Sequence, residues 1–322
     1  MDDERSVSCI ELAGAAGLPA LIAAEDAKAR ERFIEFFTAT IRNRGTRAAY
    51  AHAVSRFLHW CSQRRIPLRA ISAIVVATYI EELTQQMSAT TVKLHLAAIR
   101  RLFDHLVTGH IVRSNPATSV KGPKHVVRKG TTPVLLSDEA RHLLDSIDIS
   151  TVKGLKDRAI ISVMVYSFAR VTATVRMNVE DYFSQGRRMW FRLHEKGGKL
   201  HDVPAHHNAE AYVDAYIHAA GIANQHKGPL FRTIGRDRRL SLNRMHRVDV
   251  LRMVKHRARD AGIAASVTCH TFRATGITAY LQNNGQLEHA QRIAAHESPR
   301  TTKLYDRTGD EISLDEIEKI RI

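Results

Sequence analysis

The sequence predicts a mainly helical protein with a small β component, an α+β chain in two domains, and three observations carry that reading. Between Glu31 and His110 apolar residues recur at intervals of three and four. Residues 115–134 break that periodicity with Pro116, Gly122, Pro123, Gly130 and Pro133 among basic side chains. Beyond them, two β-tolerant runs flank a Gly197-Gly198 pair. A chain of 322 residues is long enough for each half to bury its own core.

The elements follow in order. Residues 1–30 are an N-terminal extension. Residues 31–114 form a helical domain, with breaks near Asn43–Gly45, Arg65–Pro67 and Gln85–Ser88. Tyr50, Val54, Phe57, Leu58 and Cys61 share one helical face, and Val92, Leu96, Ile99, Phe103 and Leu106 share another after a Ser88 cap. Residues 115–134 are a basic linker, and residues 135–310 form the second domain. There a short helix runs from Ser137 to Leu144. Asp157 is expected to cap the apolar run A-I-I-S-V-M-V-Y-S-F-A, with Arg170 at its end. Arg188–His194 and Leu200–Pro204 read as a β-hairpin. Ala209–Gly221 and Leu242–Gly262 read as helices. Residues 311–322 end the chain as a short helix with a Ser313–Glu316 capping box, too short to stand alone and so expected to dock.

Lysine and arginine number 48 against 33 acids. Each end of the chain, 1–32 and 306–322, carries −3, which leaves +21 on the interval 33–305 against +15 for the whole. A basic body with acidic ends suits a polyanion such as nucleic acid, bound with strong salt dependence. The candidate phosphate contacts are Lys93, Arg100 and Arg101, with His95 beside them, on the later helix of the first domain, and Lys121, Lys124, Arg128 and Lys129 in the linker. Cys9, Cys61 and Cys269 form no C-x-x-C pair and suit a reducing compartment. With an acidic N-terminus and no apolar run long enough for a membrane, the expected location is cytoplasmic and nucleoid-associated. His201, His206 and His207 lack a clear fourth ligand and read as surface histidines, so no metal is expected.

The chemistry lies in one ordered series: Arg170, Lys196, His270 and Arg273 as H-T-F-R, His296 and Tyr305. Two guanidinium groups can grip a phosphate through paired charge-assisted bonds. A lysine and histidines can move protons, and a tyrosine hydroxyl can be the nucleophile. The set can cut and reseal a phosphodiester without a metal or nucleotide cofactor. His270, three residues before Arg273, can bond the phosphate or take up the tyrosine proton. Lys199 competes with Lys196 as general acid.

These residues resemble the tyrosine recombinases of the phage integrase type. The resemblance covers residues 30–310 as a domain pattern and is specific mainly from Leu155 to Tyr305. It implies a SAM-like helical DNA-clamping domain followed by a DNA breaking-rejoining catalytic domain. It also implies a 3′-phosphotyrosyl intermediate on Tyr305, Lys196 as general acid because the family's lysine is the first in K-G-x-K, and His296 as hydrogen-bond donor and support. The implied partners are double-stranded DNA with specific target sites, a homotetramer on two paired sites whose C-terminal segments exchange, and an accessory protein. The implied process is integration, excision or resolution of a mobile element. The alternatives are DNA relaxation of the type IB topoisomerase kind and an inactive DNA-binding protein of the same fold. Five positions depart from the pattern. Phe168 stands where the family has glycine, Ala173 where it has an acid, Ala274 where histidine is common, and A-A-H replaces L-G-H before His296. With Ala173 in place, Glu180 and Asp181 are the candidate supports for Arg170.

Overall fold

The computed structural model describes residues 18–124, 130–235, 237, 239–263 and 266–306, with Lys196 described through its backbone alone. Arg128, Lys129 and the expected C-terminal docking helix lie outside these residues. The chain divides into two units, Met1–Val126 and Val127–Ile322, so the division falls within the 115–134 stretch. The fold is mainly α with a few short antiparallel strands. Among the described residues no helix is long and apolar enough to cross a membrane.

The first unit contains α1 (Ala20–Ala23), α2 (Ala27–Thr38), α3 (Arg44–Gln63), α4 (Ala73–Gln86) and α5 (Ala89–Thr108). The four longer helices start on side-chain caps, in which Asp26, Asn43, Ser72 and Ser88 each accept a backbone N–H. Val54, Phe57, Leu58 and Cys61 of α3 and Val92, Leu96, Ile99, Phe103 and Leu106 of α5 meet in one core, against which Tyr50 packs at the margin. Leu21 and Ile22 join that core, so part of the expected N-terminal extension belongs to this unit.

Two corrections fall on α5. His95 is 1% exposed, not part of a basic face, and its Nδ1 lies 3.1 Å from the Tyr79 hydroxyl. Arg100 turns back onto its own unit: Nε donates to the Ala117 carbonyl at 2.9 Å, and Nη2 to that of Val120. It fastens the segment after α5, because those carbonyls have no helix to serve them. Lys93, Arg101, Lys121 and Lys124 are exposed.

The second unit contains α6 (Ser137–Asp145), α7 (Val152–Tyr166), α8 (Val171–Arg176), β1 (Tyr182–Gln185), β2 (Arg188–His194), β3 (Leu200–Pro204) and α9 (His207–Ala220). It continues with β4 (Arg232–Ile234), β5 (Leu240–Arg244), α10 (Arg247–Asp260), α11 (Cys269–Gln282), α12 (Leu287–Ile293) and α13 (Pro299–Lys303). β2 and β3 form the expected hairpin, with His194 opposite Leu200 and Trp190 opposite Pro204, and β1 adds a third antiparallel strand. α7 is buried over most of its surface and carries the core that α9 and α11 cover.

Three further expectations are corrected. Leu242–Arg244 is strand β5 rather than helix; the alternation of L-S-L-N-R pairs with β4. Asp157 does not cap α7, whose N-cap is Thr151; it lies inside the helix and accepts from Arg257 Nε and Nη2 at 3.1 and 2.8 Å. Arg170 does not end the buried helix. α7 stops at Tyr166, Ser167–Ala169 form a tight loop, and Arg170 is the residue that leads into α8.

Candidate active site

Arg273 anchors the site. α11 opens after Thr268, and the i, i+3 spacing places His270 and Arg273 on one face of its first turn. Arg273 is 1% exposed. Its Nη1 donates to the Phe168 carbonyl and its Nη2 to the Ala294 carbonyl at 2.5 Å, while the buried Nε has no hydrogen-bond partner among the described residues. Two carbonyls from distant loops thus fix the plane of the guanidinium. Burial, then the charge of Arg170, lowers the Arg273 pKa to about 10, so it stays cationic at neutral pH.

The loops that supply those carbonyls share an unusual backbone. Phe168 has φ +54° and Ala295 has φ +47°, the left-handed region that favours glycine. These are the two positions at which the resemblance leads one to expect glycine, and the backbone there has the conformation that glycine favours. The Phe168 ring fills the space between α7 and α11, against Ala274, Ile277 and Tyr280.

Tyr305 follows the Leu304 C-cap of α13 and is 8% exposed. Its backbone carbonyl accepts from Thr278 Oγ1 of α11 at 3.1 Å, which holds the residue against the helix that carries His270 and Arg273. Its hydroxyl lies 2.8 Å from His270 Nε2. The His296 ring stacks parallel to the Tyr305 ring, 5.9 Å between centroids and 8° between planes, and its Nδ1 is 2.9 Å from Thr302 Oγ1.

The electrostatics separate the roles. Desolvation, helped by Arg273 and Arg170, lowers the pKa of His270 below its ordinary value and that of His296 to about 3. Both imidazoles are neutral at pH 7, so His270 is able to accept a proton. Burial raises the Tyr305 pKa, against the opposing pull of Arg273 and Arg170. The hydroxyl therefore stays protonated in the free protein and needs an acceptor within reach.

Arg170 completes the pair of guanidinium groups. Its Nη1 donates to Glu195 Oε2 at 2.7 Å. Glu180 and Asp181 are not its partners: Asp181 is occupied by the Asn178 N–H at 2.7 Å and by His194 Nε2 at 2.8 Å. Lys196 begins the turn Lys196–Gly198 between β2 and β3, in which Gly197 and Gly198 have φ of +80° and +81°, and Lys199 is exposed. Sequence reasoning missed Glu195, Thr278 and Thr302. Of these, Glu195 had a readable signal, a carboxylate adjacent to the lysine of the turn.

Residues 133–311 match the family described as phage integrase, and residues 31–109 match the phage integrase N-terminal SAM-like domain. The chain belongs to the phage integrase family. Members of this family are tyrosine recombinases, enzymes of DNA strand cleavage and rejoining. The recombinase is 25% identical over 245 residues to tyrosine recombinase XerC of Chlamydia caviae, covering 76% of each chain. It is 27% identical over 223 residues to tyrosine recombinase XerD of Listeria monocytogenes, covering 68% of this chain and 71% of that one. Its fold is that of the XerH site-specific recombinase bound to a palindromic difH substrate after cleavage: TM-score 0.72, 16% identity, 97% of this chain and 92% of that chain covered. A lambda integrase tetramer bound to a Holliday junction is also similar, with a TM-score of 0.66 and 16% identity over 98% of this chain and 91% of that one.

Proposed function

We propose that this recombinase cuts and rejoins DNA at specific sites, with Tyr305 as nucleophile, and that it serves the integration, excision or resolution of a mobile element. The observation that carries the assignment is the 2.8 Å contact between the Tyr305 hydroxyl and a neutral His270, set beside the two arginines.

The step follows from the chain's own groups. The Tyr305 oxygen attacks phosphorus while its proton passes to His270 Nε2. A Tyr–O–P bond forms and the bond from phosphorus to the 5′ oxygen breaks, giving a 3′-phosphotyrosyl link and a 5′ hydroxyl. A bound phosphate would raise the tyrosine pKa further through its negative charge, so Arg170 and Arg273 must offset that field as well as grip the nonbridging oxygens. His296, its Nδ1 beside Thr302, turns Nε2 toward the substrate as a donor. Lys196 supplies the proton of the leaving 5′ oxygen, with Lys199 the competing donor on the same turn. Attack by a 5′ hydroxyl reverses the sequence, so resealing needs no external energy.

Exposed Lys93, Arg101, Lys121 and Lys124, with Arg128 and Lys129, contact phosphates along the duplex. A homotetramer on two paired sites, with an accessory protein and exchanged C-terminal segments, is the assembly we infer. The lambda integrase tetramer on a Holliday junction supports it by likeness of fold. The test is incubation of wild type and Tyr305→Phe with labelled duplexes from the flanks of the gene, followed by denaturing electrophoresis. A slow-migrating adduct with wild type that the variant lacks is the expected result. Adducts of equal yield from both proteins would remove Tyr305 from the mechanism.

A further inference from the structure

The pair formed by Arg170 and Glu195 joins residues 25 apart in sequence, yet it organises the site. The acid expected three residues after the arginine is absent here. Its position is Ala173, 1% exposed and packed in the apolar core of the second unit, where a carboxylate would lie among hydrocarbon side chains. Glu195 comes instead from the connection between β2 and β3, at the last residue before the turn that holds Lys196.

Three observations bear on what Glu195 does. The carboxylate is enclosed, with 5% of its side chain exposed, whereas the Arg170 side chain is 42% exposed. A carboxylate so enclosed is tolerated when it is paired and hydrogen-bonded, and the 2.7 Å separation lies in the charge-assisted range. The backbone N–H of Glu195 donates to the Lys199 carbonyl at 2.8 Å, closing the five-residue turn. One residue therefore holds the Arg170 fork through its side chain and the lysine turn through its main chain. The Arg170 side chain is 42% exposed, so the guanidinium is open to a ligand on its solvent side. The charge also matters between the arginines: Arg170 weakens proton binding at Arg273 and Glu195 strengthens it, so the carboxylate offsets their repulsion when no phosphate is present.

We propose that Glu195 is the positioning residue for Arg170, a carboxylate carried by the hairpin turn in place of the one missing from α8, and that it holds Arg170 and the Lys196 turn as one unit. The inference rests on the reading of Arg170 as a phosphate clamp. Glu195 touches neither phosphate nor the reacting atoms. It acts by keeping an exposed, rotamer-rich guanidinium in one orientation before DNA arrives.

A double-mutant cycle of Arg170→Lys, Glu195→Gln and the combined variant tests it, because groups that act through each other are non-additive. The first readout is the rate constant of adduct formation on the gene-flanking duplex that wild type captures. Glu195→Gln is expected to slow it by about 10- to 100-fold, the scale of a misplaced positioning group. In the Arg170→Lys background the same change should slow it by less than about 3-fold, a residue of ordinary coupling error. A wild-type rate in Glu195→Gln, or an equal slowing in both backgrounds, overturns the proposal. The second readout is the urea midpoint of the same four proteins, which needs no DNA. Non-additive midpoints support the pair, and additive midpoints overturn it. If wild type forms no adduct on the chosen duplex, the midpoints still decide whether Glu195 holds Arg170.

Discussion

Ala295 and Phe168 lie in the same left-handed backbone region, and replacing each by glycine should change stability in opposite directions. For a non-glycine residue that conformation costs about 1–2 kcal/mol. Glycine removes the cost but gives back roughly 0.4–1 kcal/mol through the greater freedom of the unfolded chain. Ala295 has only a methyl group to lose, so Ala295→Gly should stabilise the second unit by about 0.5–1 kcal/mol. Phe168 gains the same relief but is 4% exposed and packs against Ala274 and Ile277. Deleting such a ring costs about 3–5 kcal/mol. Phe168→Gly should therefore destabilise by a net of about 2–4 kcal/mol. Each unit holds one of the two tryptophans, Trp60 and Trp190. Urea unfolding followed by Trp190 fluorescence in a Trp60→Phe background isolates the second unit. A loss of stability in Ala295→Gly would refute the strain argument, as would a gain in Phe168→Gly.

Four other outcomes follow. His95 has its pKa lowered by burial to about 4, so it stays neutral in the folded protein while the unfolded chain takes up a proton near pH 6.5. Its contribution is intact above that value and fades as pH falls; between pH 7 and 5 the first unit should lose about 2 kcal/mol, a loss absent from His95→Gln in Trp60-monitored urea melts. The buried Asp157 carboxylate accepts from the partly exposed Arg257 and lies 3.9 Å from the buried Lys156, so Arg257→Met should cost about 1–3 kcal/mol in thermal melts, and adding Asp157→Leu should not recover it because Lys156 then loses its carboxylate. The lowered His270 pKa places the acid limb of the adduct-formation rate below the usual histidine value, with a plateau through neutral pH. A rate that keeps rising from pH 7 to 9 would contradict its role as base. Binding to duplex DNA should weaken with a log–log salt slope that Lys93→Ala and Arg101→Ala each reduce by about 1, whereas Arg100→Ala should act mainly on stability.

The sequence reading succeeded where one local pattern decides the outcome. The 3.6-residue stripes of α3 and α5, the caps at Asn43 and Ser88, and the Gly197-Gly198 turn are each written within a few residues. It failed where a distant partner decides. Asp157 looked like a cap because its partner Arg257 is 100 residues away, and Arg100 looked like a phosphate contact because the carbonyls it serves carry no side-chain signature. His95 was grouped with the basic face, although its helical position points it to the core beside Tyr79. In the site, the five side chains that the structure brings together, Arg170, His270, Arg273, His296 and Tyr305, stand out in the sequence by order and spacing. The groups that hold them do not, since the carbonyls of Phe168 and Ala294 are invisible in sequence and Glu195 reaches Arg170 through the fold. The two departures from glycine, at Phe168 and Ala295, give no hint in sequence of the positive φ that both residues adopt.

The central claim is that Tyr305 forms the covalent bond to DNA. The direct measurement is mass spectrometry of the trapped adduct after nuclease and protease digestion, locating the residue that carries the nucleotide. The account predicts a nucleotide phosphate on the tyrosine of T-K-L-Y-D, linked through its 3′ oxygen. A nucleotide on any other residue, or a 5′ linkage, would contradict it.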